Sequence, residues 1–210
     1  ESLSNGLTNR TGGVTTTLKP FVAEQKEVGA KYENDHLGVT LSLFDINKQR
    51  GIMQNGVFSD AGEYVHRGVE LSSYGKLTDS LTVLVGVTWM NAKQEDTGLA
   101  TYDGNYEVGV PKFQANLGSN WKLPLPQDIS LNAQLTYTGS TYASLHNNLK
   151  VKDWTTFDLG ASYKTQFGQT PTTFNFLVNN VFDQDYWSSV GLYDNINSTS
   201  NTNNGYLVAG

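Results

Sequence analysis

Apolar and polar residues alternate with period two along most of this chain, most plainly from Tyr64 to Gln94. That period sends successive side chains to opposite faces of a strand. Folding the segment so that Leu77 faces Leu81 pairs Val69 with Trp89, Leu71 with Val87 and Gly75 with Val83 on one apolar face. The other face carries His66, Glu70, Ser72, Lys76, Thr82 and Thr88, with Leu84 and Met90 as apolar exceptions. Each arm is about 14 residues long, well beyond the ~5–6 usual for strands of soluble sheets.

The same alternation predicts three further strand pairs. Strands over 21–33 and 37–49 turn at Asn34-Asp35-His36, with Tyr32 opposite Val39, Ala30 opposite Leu41 and Val28 opposite Leu43. Strands over 110–123 and 128–142 turn at Pro124-Leu125-Pro126-Gln127; pairing Trp121 with Ile129 sets Leu117 against Ala133 and Phe113 against Tyr137. Strands over 154–167 and 172–186 turn at Gly168-Gln169-Thr170-Pro171 and share an apolar face of Phe157, Leu159, Ala161, Tyr163, Phe174, Phe176, Val178 and Phe182. Residues 50–63, 95–109 and 143–153 are expected as longer connections. Residues 1–19 and 187–210, rich in Ser, Thr, Asn and Gly, are expected as loops without strands.

Eight strands alternating short turns with long loops describe an all-β, antiparallel transmembrane β-barrel wall, with short periplasmic turns and long outer loops. In lipid every backbone N–H and C=O must be paired within the protein, which a closed antiparallel sheet achieves without an edge. Trp89, Phe113, Tyr137 and Phe182 are expected to form the outer aromatic girdle, and Tyr32, Trp121, Tyr163 and Phe174 the inner one. Arg67 falls on the lipid face but near the loop end, within reach of polar headgroups. Both termini lie on the long-loop side, so the wall is expected to be part of a larger barrel, with strands before residue 1 and at least one after residue 210.

Composition narrows the partners. The 210 residues are 16% charged, against ~25% in soluble proteins, and carry a net charge of −6. With no basic stripe to neutralise phosphates, nucleic acid is excluded as a partner. There is no cysteine, and no apolar run long enough for a transmembrane helix. The mean hydropathy of −0.40 suits a barrel, whose strands need only about ten alternating residues each. The histidines His36, His66 and His146 fall on a turn, a wall and a loop, and no nucleophile–base or paired-carboxylate constellation points to an enzyme.

Five stretches carry a family likeness: Leu18 to Glu33, Val39 to Gly51, His66 to Val83, Val110 to Leu123 and Asn179 to Trp187. In this order they resemble the C-terminal barrel of TonB-dependent siderophore receptors. The resemblance implies a bacterial outer-membrane barrel of the 22-stranded type, of which this chain supplies eight strands before the last, without the N-terminal plug, the TonB-contacting segment or the aromatic-ended final strand. It implies uptake of a ferric siderophore energised through the TonB complex, with no catalysis. The alternative class is a passive porin-like or structural, adhesive barrel.

A siderophore already satisfies its Fe(III), so the resemblance implies aromatic and polar contact surface and no resident cofactor or protein metal ligand. Loop aromatics supply rigid contact area at low entropy cost. Tyr102, Tyr106, Trp187 and Tyr193 are the ligand-binding candidates. A hydroxamate chelate is the expected type.

Overall fold

Period-two alternation becomes one continuous wall in the computed structural model, which describes residues 8–11, 14–17, 20–54, 57–192 and 205–210. The wall is an eight-stranded sheet built from β3 (Ala23–Glu33), β4 (Leu37–Gln54), β5 (Val57–Thr78), β6 (Leu81–Glu95), β7 (Phe113–Lys122), β8 (Asp128–Thr138), β11 (Trp154–Phe167) and β12 (Thr170–Val178). Each strand pairs antiparallel with its neighbours in the sequence, so no connection crosses the sheet. Three two-stranded hairpins accompany it: β1 (Thr8–Thr11) with β2 (Val14–Thr17), β9 (Thr141–Tyr142) with β10 (Lys150–Val151), and β13 (Trp187–Leu192) with β14 (Gly205–Ala209).

One expected register holds throughout, and a second holds up to the turn that joins its strands. Tyr32 pairs with Val39, Ala30 with Leu41 and Val28 with Leu43. Val69 pairs with Trp89, Leu71 with Val87 and Gly75 with Val83. Rows then run across the wall: Val85, Leu117, Leu135 and Phe157 lie side by side on one face. Thr88, Gln114, Thr138 and Trp154 lie side by side on the other. The first face is apolar and open, with Val28, Leu43, Leu117 and Leu135 all exposed. The second is a ladder of short polar side chains, in which the Asn120 amide donates to Asn132 Oδ1 at 2.5 Å and Ser162 Oγ donates to Asn175 Oδ1 at 2.7 Å.

Turn chemistry corrects several details. Leu77 does not face Leu81: a bulge between Lys76 and Thr78 sets Thr78 opposite Leu81, because Thr78 Oγ1 accepts from the Ser80 and Leu81 amides. Trp121 pairs with Leu131 rather than Ile129, and Leu117 with Leu135 rather than Ala133. The Ile129 amide is taken up within the turn by the Gln127 carbonyl, which moves the pairing two residues on. A two-residue shift preserves both faces. The last wall turn is tighter than expected, with Phe167 opposite Thr170 across Gly168-Gln169.

The 50–63 segment is not a long connection. It extends β4 and β5 into one hairpin, with a register shift between Arg50 and Ile52. The 1–19 segment contains the β1–β2 hairpin, and the 187–210 segment contains β13 and β14, so neither is free of strands. β12 ends at Val178 rather than running to Tyr186, because Asn180 and Asp183 take positive φ of 49° and 51°. Asp158 Oδ1 accepts the Asn180 amide there, and Asn180 Oδ1 accepts the Gln184 amide.

The aromatic rows survive these changes. Tyr163 stacks on its partner Phe174 at 6.4 Å, and Phe182, though past the end of β12, stacks on Phe157 at 5.7 Å. Among the described residues the buried apolar ones, Ala92, Ala143, Leu145 and Val151, gather at the loop end of the wall. That is where two long connections fold together.

Candidate functional site at the loop end

The connection from β6 to β7 turns back and adds its returning limb to the free end of β6. Gly104 donates its amide to the Gln94 carbonyl, Gln94 to the Asn105 carbonyl and Glu107 to the Ala92 carbonyl. Tyr106 thereby forms an antiparallel bridge with Lys93. The connection from β8 to β11 closes over this limb, with the Gly109 amide donating to the Tyr142 carbonyl at 3.0 Å.

Three amide side chains hold the two loops together. Gln94, 0% exposed, donates from Nε2 to the carbonyls of Tyr106 and Leu145, and its Oε1 accepts from Arg50 at 2.9 Å. Asn105 donates to the carbonyls of Thr101 and Leu145. Asn147, at φ 56°, pairs with Tyr106 as a strand would: its Oδ1 accepts the Tyr106 amide at 2.6 Å and its Nδ2 donates to the Tyr106 carbonyl at 2.9 Å. Asn tolerates that left-handed backbone better than most residues. On the polar face below, His66 Nε2 meets the Glu107 carboxylate and ties the same limb to β5.

The tip of the first loop has its own cap. Asp103 Oδ1 accepts from both the hydroxyl and the amide of Thr97, at 2.7 and 2.8 Å. These bonds, the hydroxyl first, hold the Asp103 carboxyl below its ordinary pKa. Since the folded pKa is lowered, the cap's contribution is present above the ordinary carboxylate range and is lost as pH falls through the lowered value. Protection of the amides of residues 97–105, corrected for the intrinsic pH dependence of exchange, is therefore expected to fall in the parent only once the pH drops below the ordinary carboxylate range. In Thr97→Val, where the hydroxyl is gone, the loss of protection should begin at a higher pH.

The sequence-derived candidates separate on this frame. Tyr102 packs against His146 of the neighbouring loop, ring centroids 4.6 Å apart. Tyr106 shares its face with Lys93, because bridged partners point the same way. Its ring stacks on Tyr142 at 6.0 Å, with Lys112 Nζ 3.7 Å from the centroid. A hydrogen bond from Lys112 is the first cause that holds the Tyr106 phenol below its ordinary pKa; burial opposes it, and the charges of Lys112 and Lys93 add smaller contributions in the same downward direction. Trp187 opens β13 and lines a cleft of about 690 Å³ with Lys150, Lys152, Gln184 and Tyr186. Tyr186 in turn packs on Trp154 at 4.3 Å. Tyr193 lies outside the described residues.

Sequence reasoning missed Gln94, Asn105, Asn147 and the His66–Glu107 contact, since each acts through the fold of a loop. Only Asn147 left a local signal, as part of an Asn-Asn pair inside a connection.

An antiparallel wall with one open apolar face, one polar face, aromatic rows at both ends and its long connections gathered on one side is the wall of an outer-membrane β-barrel. The chain belongs to the TonB-dependent receptor family: residues 2–181 match the family model described as TonB dependent receptor-like, beta-barrel. Members of this family are transporters of the bacterial outer membrane rather than enzymes. The chain is 32% identical over 170 residues to the ferrichrome receptor FcuA of Yersinia enterocolitica, covering 80% of this chain and 22% of that one. It is also 32% identical over 180 residues to the ferrichrome outer membrane transporter/phage receptor of Escherichia coli K12, covering 81% and 24%. The chain thus spans about a quarter of the length of these curated relatives. In fold it is similar to the ferric preacinetobactin receptor BauA of Acinetobacter baumannii, with a TM-score of 0.77 over 99% of this chain and 30% of that one at 24% identity.

Proposed function

We propose that this chain is part of the barrel wall of a receptor that captures a ferric siderophore at its outer mouth and imports it with energy delivered through TonB. The plug and the TonB-contacting segment belong to other parts of such a receptor. The observation that carries the reading is the loop-end cleft of about 690 Å³, lined by Trp187 and Tyr186 with two lysines, two aspartates (Asp153 and Asp185) and a glutamine, a size within the range of small-molecule sites. Tyr102, Trp187 and Tyr193 are the proposed ligand contacts, and Tyr106 acts at the rim beside Lys93. The ferrichrome named for the two relatives at 32% identity supports a hydroxamate chelate.

Tryptophan quenching in detergent tests this with the full-length parent. A ferric hydroxamate should bind it tightly, and a Tyr102→Ala/Trp187→Ala/Tyr193→Ala variant at least tenfold more weakly, a loss of about 1.4 kcal/mol. A parent that binds no iron chelate would end the siderophore reading and leave the barrel intact. A parent that binds equally well without these rings would move the site to other loops.

A further inference from the structure

We propose that Gly109 is a positioning residue for the ligand: the side chain it lacks leaves a seat for the β13–β14 hairpin, and that seat sets the width of the loop-end cleft and hence the size of chelate it admits. The inference rests on the siderophore reading of that cleft. One side of the cleft is fixed to the wall. Lys150 and Val151 line it, Lys150 pairs with Tyr142, and the Tyr142 carbonyl accepts the Gly109 amide at 3.0 Å. Gln94, Asn105 and Asn147 bind this loop to the limb that carries Gly109, and backbone bonds hold the limb to β6. The opposite side belongs to the β13–β14 hairpin, a sheet of its own, with Trp187, Leu207 and Ala209 lining the cleft. The chain reaches the hairpin from β12 through residues 179–186, where Asn180 and Asp183 leave the extended backbone for φ of 49° and 51°. Tyr186 pins the base of the hairpin by packing on Trp154 at 4.3 Å.

Farther along, the hairpin meets the fixed side at Gly109. A Cβ at this position would overlap the Val190 carbonyl oxygen, a backbone atom that cannot swing aside as a side chain could. Gly109 therefore touches three segments: its own limb, the neighbouring loop through Tyr142, and β13 through Val190. Its φ of 78° does not by itself demand glycine, since Asn147 holds a left-handed φ of 56° in the neighbouring loop. The close approach of Val190 does. A carbon needs about 3.3 Å from a carbonyl oxygen, so any side chain at 109 displaces one partner by on the order of 1 Å. The amide clamp holds the limb in place. The hairpin is the part that gives way, and Trp187 and Leu207 then draw back from Lys150.

Tryptophan quenching on the full-length receptor in detergent tests this with two ferric trishydroxamates, one compact and one carrying a bulky acyl group. Gly109→Ala and Gly109→Asn should each shift the ratio of the two affinities at least tenfold toward the bulky chelate. A loop that had merely been loosened would lose both chelates together, and that result overturns the proposal. So does a parent-like ratio in Gly109→Asn, which would reduce the role of Gly109 to its backbone angle. Spin labels on Thr101→Cys and Ser189→Cys read the seat without ligand. The parent should give one narrow distance, and Gly109→Ala a longer one; an unchanged distance in the variant overturns the proposal. If neither variant assembles, the parent decides alone, because a broad distance distribution would mean that the hairpin has no seat. If the parent binds no iron chelate, the siderophore reading ends, and the distance shift still decides whether Gly109 seats the hairpin.

Discussion

Replacing Leu135 by Arg in the full-length receptor is expected to cost about 2–4 kcal/mol of barrel stability in lipid, whereas Gln134→Arg, one residue away, is expected to cost little. Leu135 sits in the row Val85, Leu117, Leu135, Phe157, between the outer row that contains Trp89 and Phe113 and the inner one that contains Trp121 and Tyr163. Its side chain is exposed on the apolar face, so in a membrane a guanidinium there would lie near mid-hydrocarbon, too deep to reach headgroups easily. Gln134 points to the polar face, level with Leu84 and Gly118 on one side and Asp158 on the other. An added Arg there gains water and a nearby carboxylate. Guanidinium titration of refolded receptor in lipid vesicles measures both changes. Equal costs for the two would mean that the faces have been assigned the wrong way round.

The faces were legible because alternation is a property of each strand alone. Val28, Leu43, Val69, Trp89, Leu117 and Leu135 could each be given a side before any pairing was known, and the pairing respects every assignment. Even the two-residue error at Trp121 left all sides unchanged, since only an odd shift exchanges faces. Strand ends were less legible. Whether Thr78 takes up the Ser80 and Leu81 amides, or Asp158 takes up the Asn180 amide, depends on side-chain oxygens meeting backbone groups, and alternation carries no trace of that. The candidate site was least legible. Tyr102 and Tyr106 are four residues apart in one loop, yet one packs on His146 and the other stands beside Lys93, because the limb that carries Tyr106 joins β6 as a strand. That limb is irregular in sequence and is fixed by amides contributed from β6 and from the neighbouring loop.

Gln94→Leu is accordingly expected to release both loops while leaving the wall in place. The side chain is fully buried, and its amide serves three partners at once: the Tyr106 carbonyl, the Leu145 carbonyl and the Arg50 guanidinium. Leucine matches the volume but serves none of them. Each buried group left without a partner costs about 1–3 kcal/mol. Asn147 still holds the Tyr106 carbonyl and Asn105 the Leu145 carbonyl, so the loss is shared and a net cost of about 3 kcal/mol is expected. Arg50 keeps its place over the Tyr64 ring at 4.6 Å, which leaves a cation facing a leucine. Hydrogen exchange on the full-length receptor reads the result by segment. Protection should fall by about a hundredfold at residues 104–107 and 143–149 and stay at the parent level in β7 and β8, a change of that factor matching about 3 kcal/mol. If the loop amides stay as protected as in the parent, Asn105 and Asn147 suffice, and Gln94 is a passenger at the end of its strand. If protection collapses through β7 and β8 as well, the loop end is part of the cooperative unit that holds the wall, and the mouth cannot open without unfolding its neighbours.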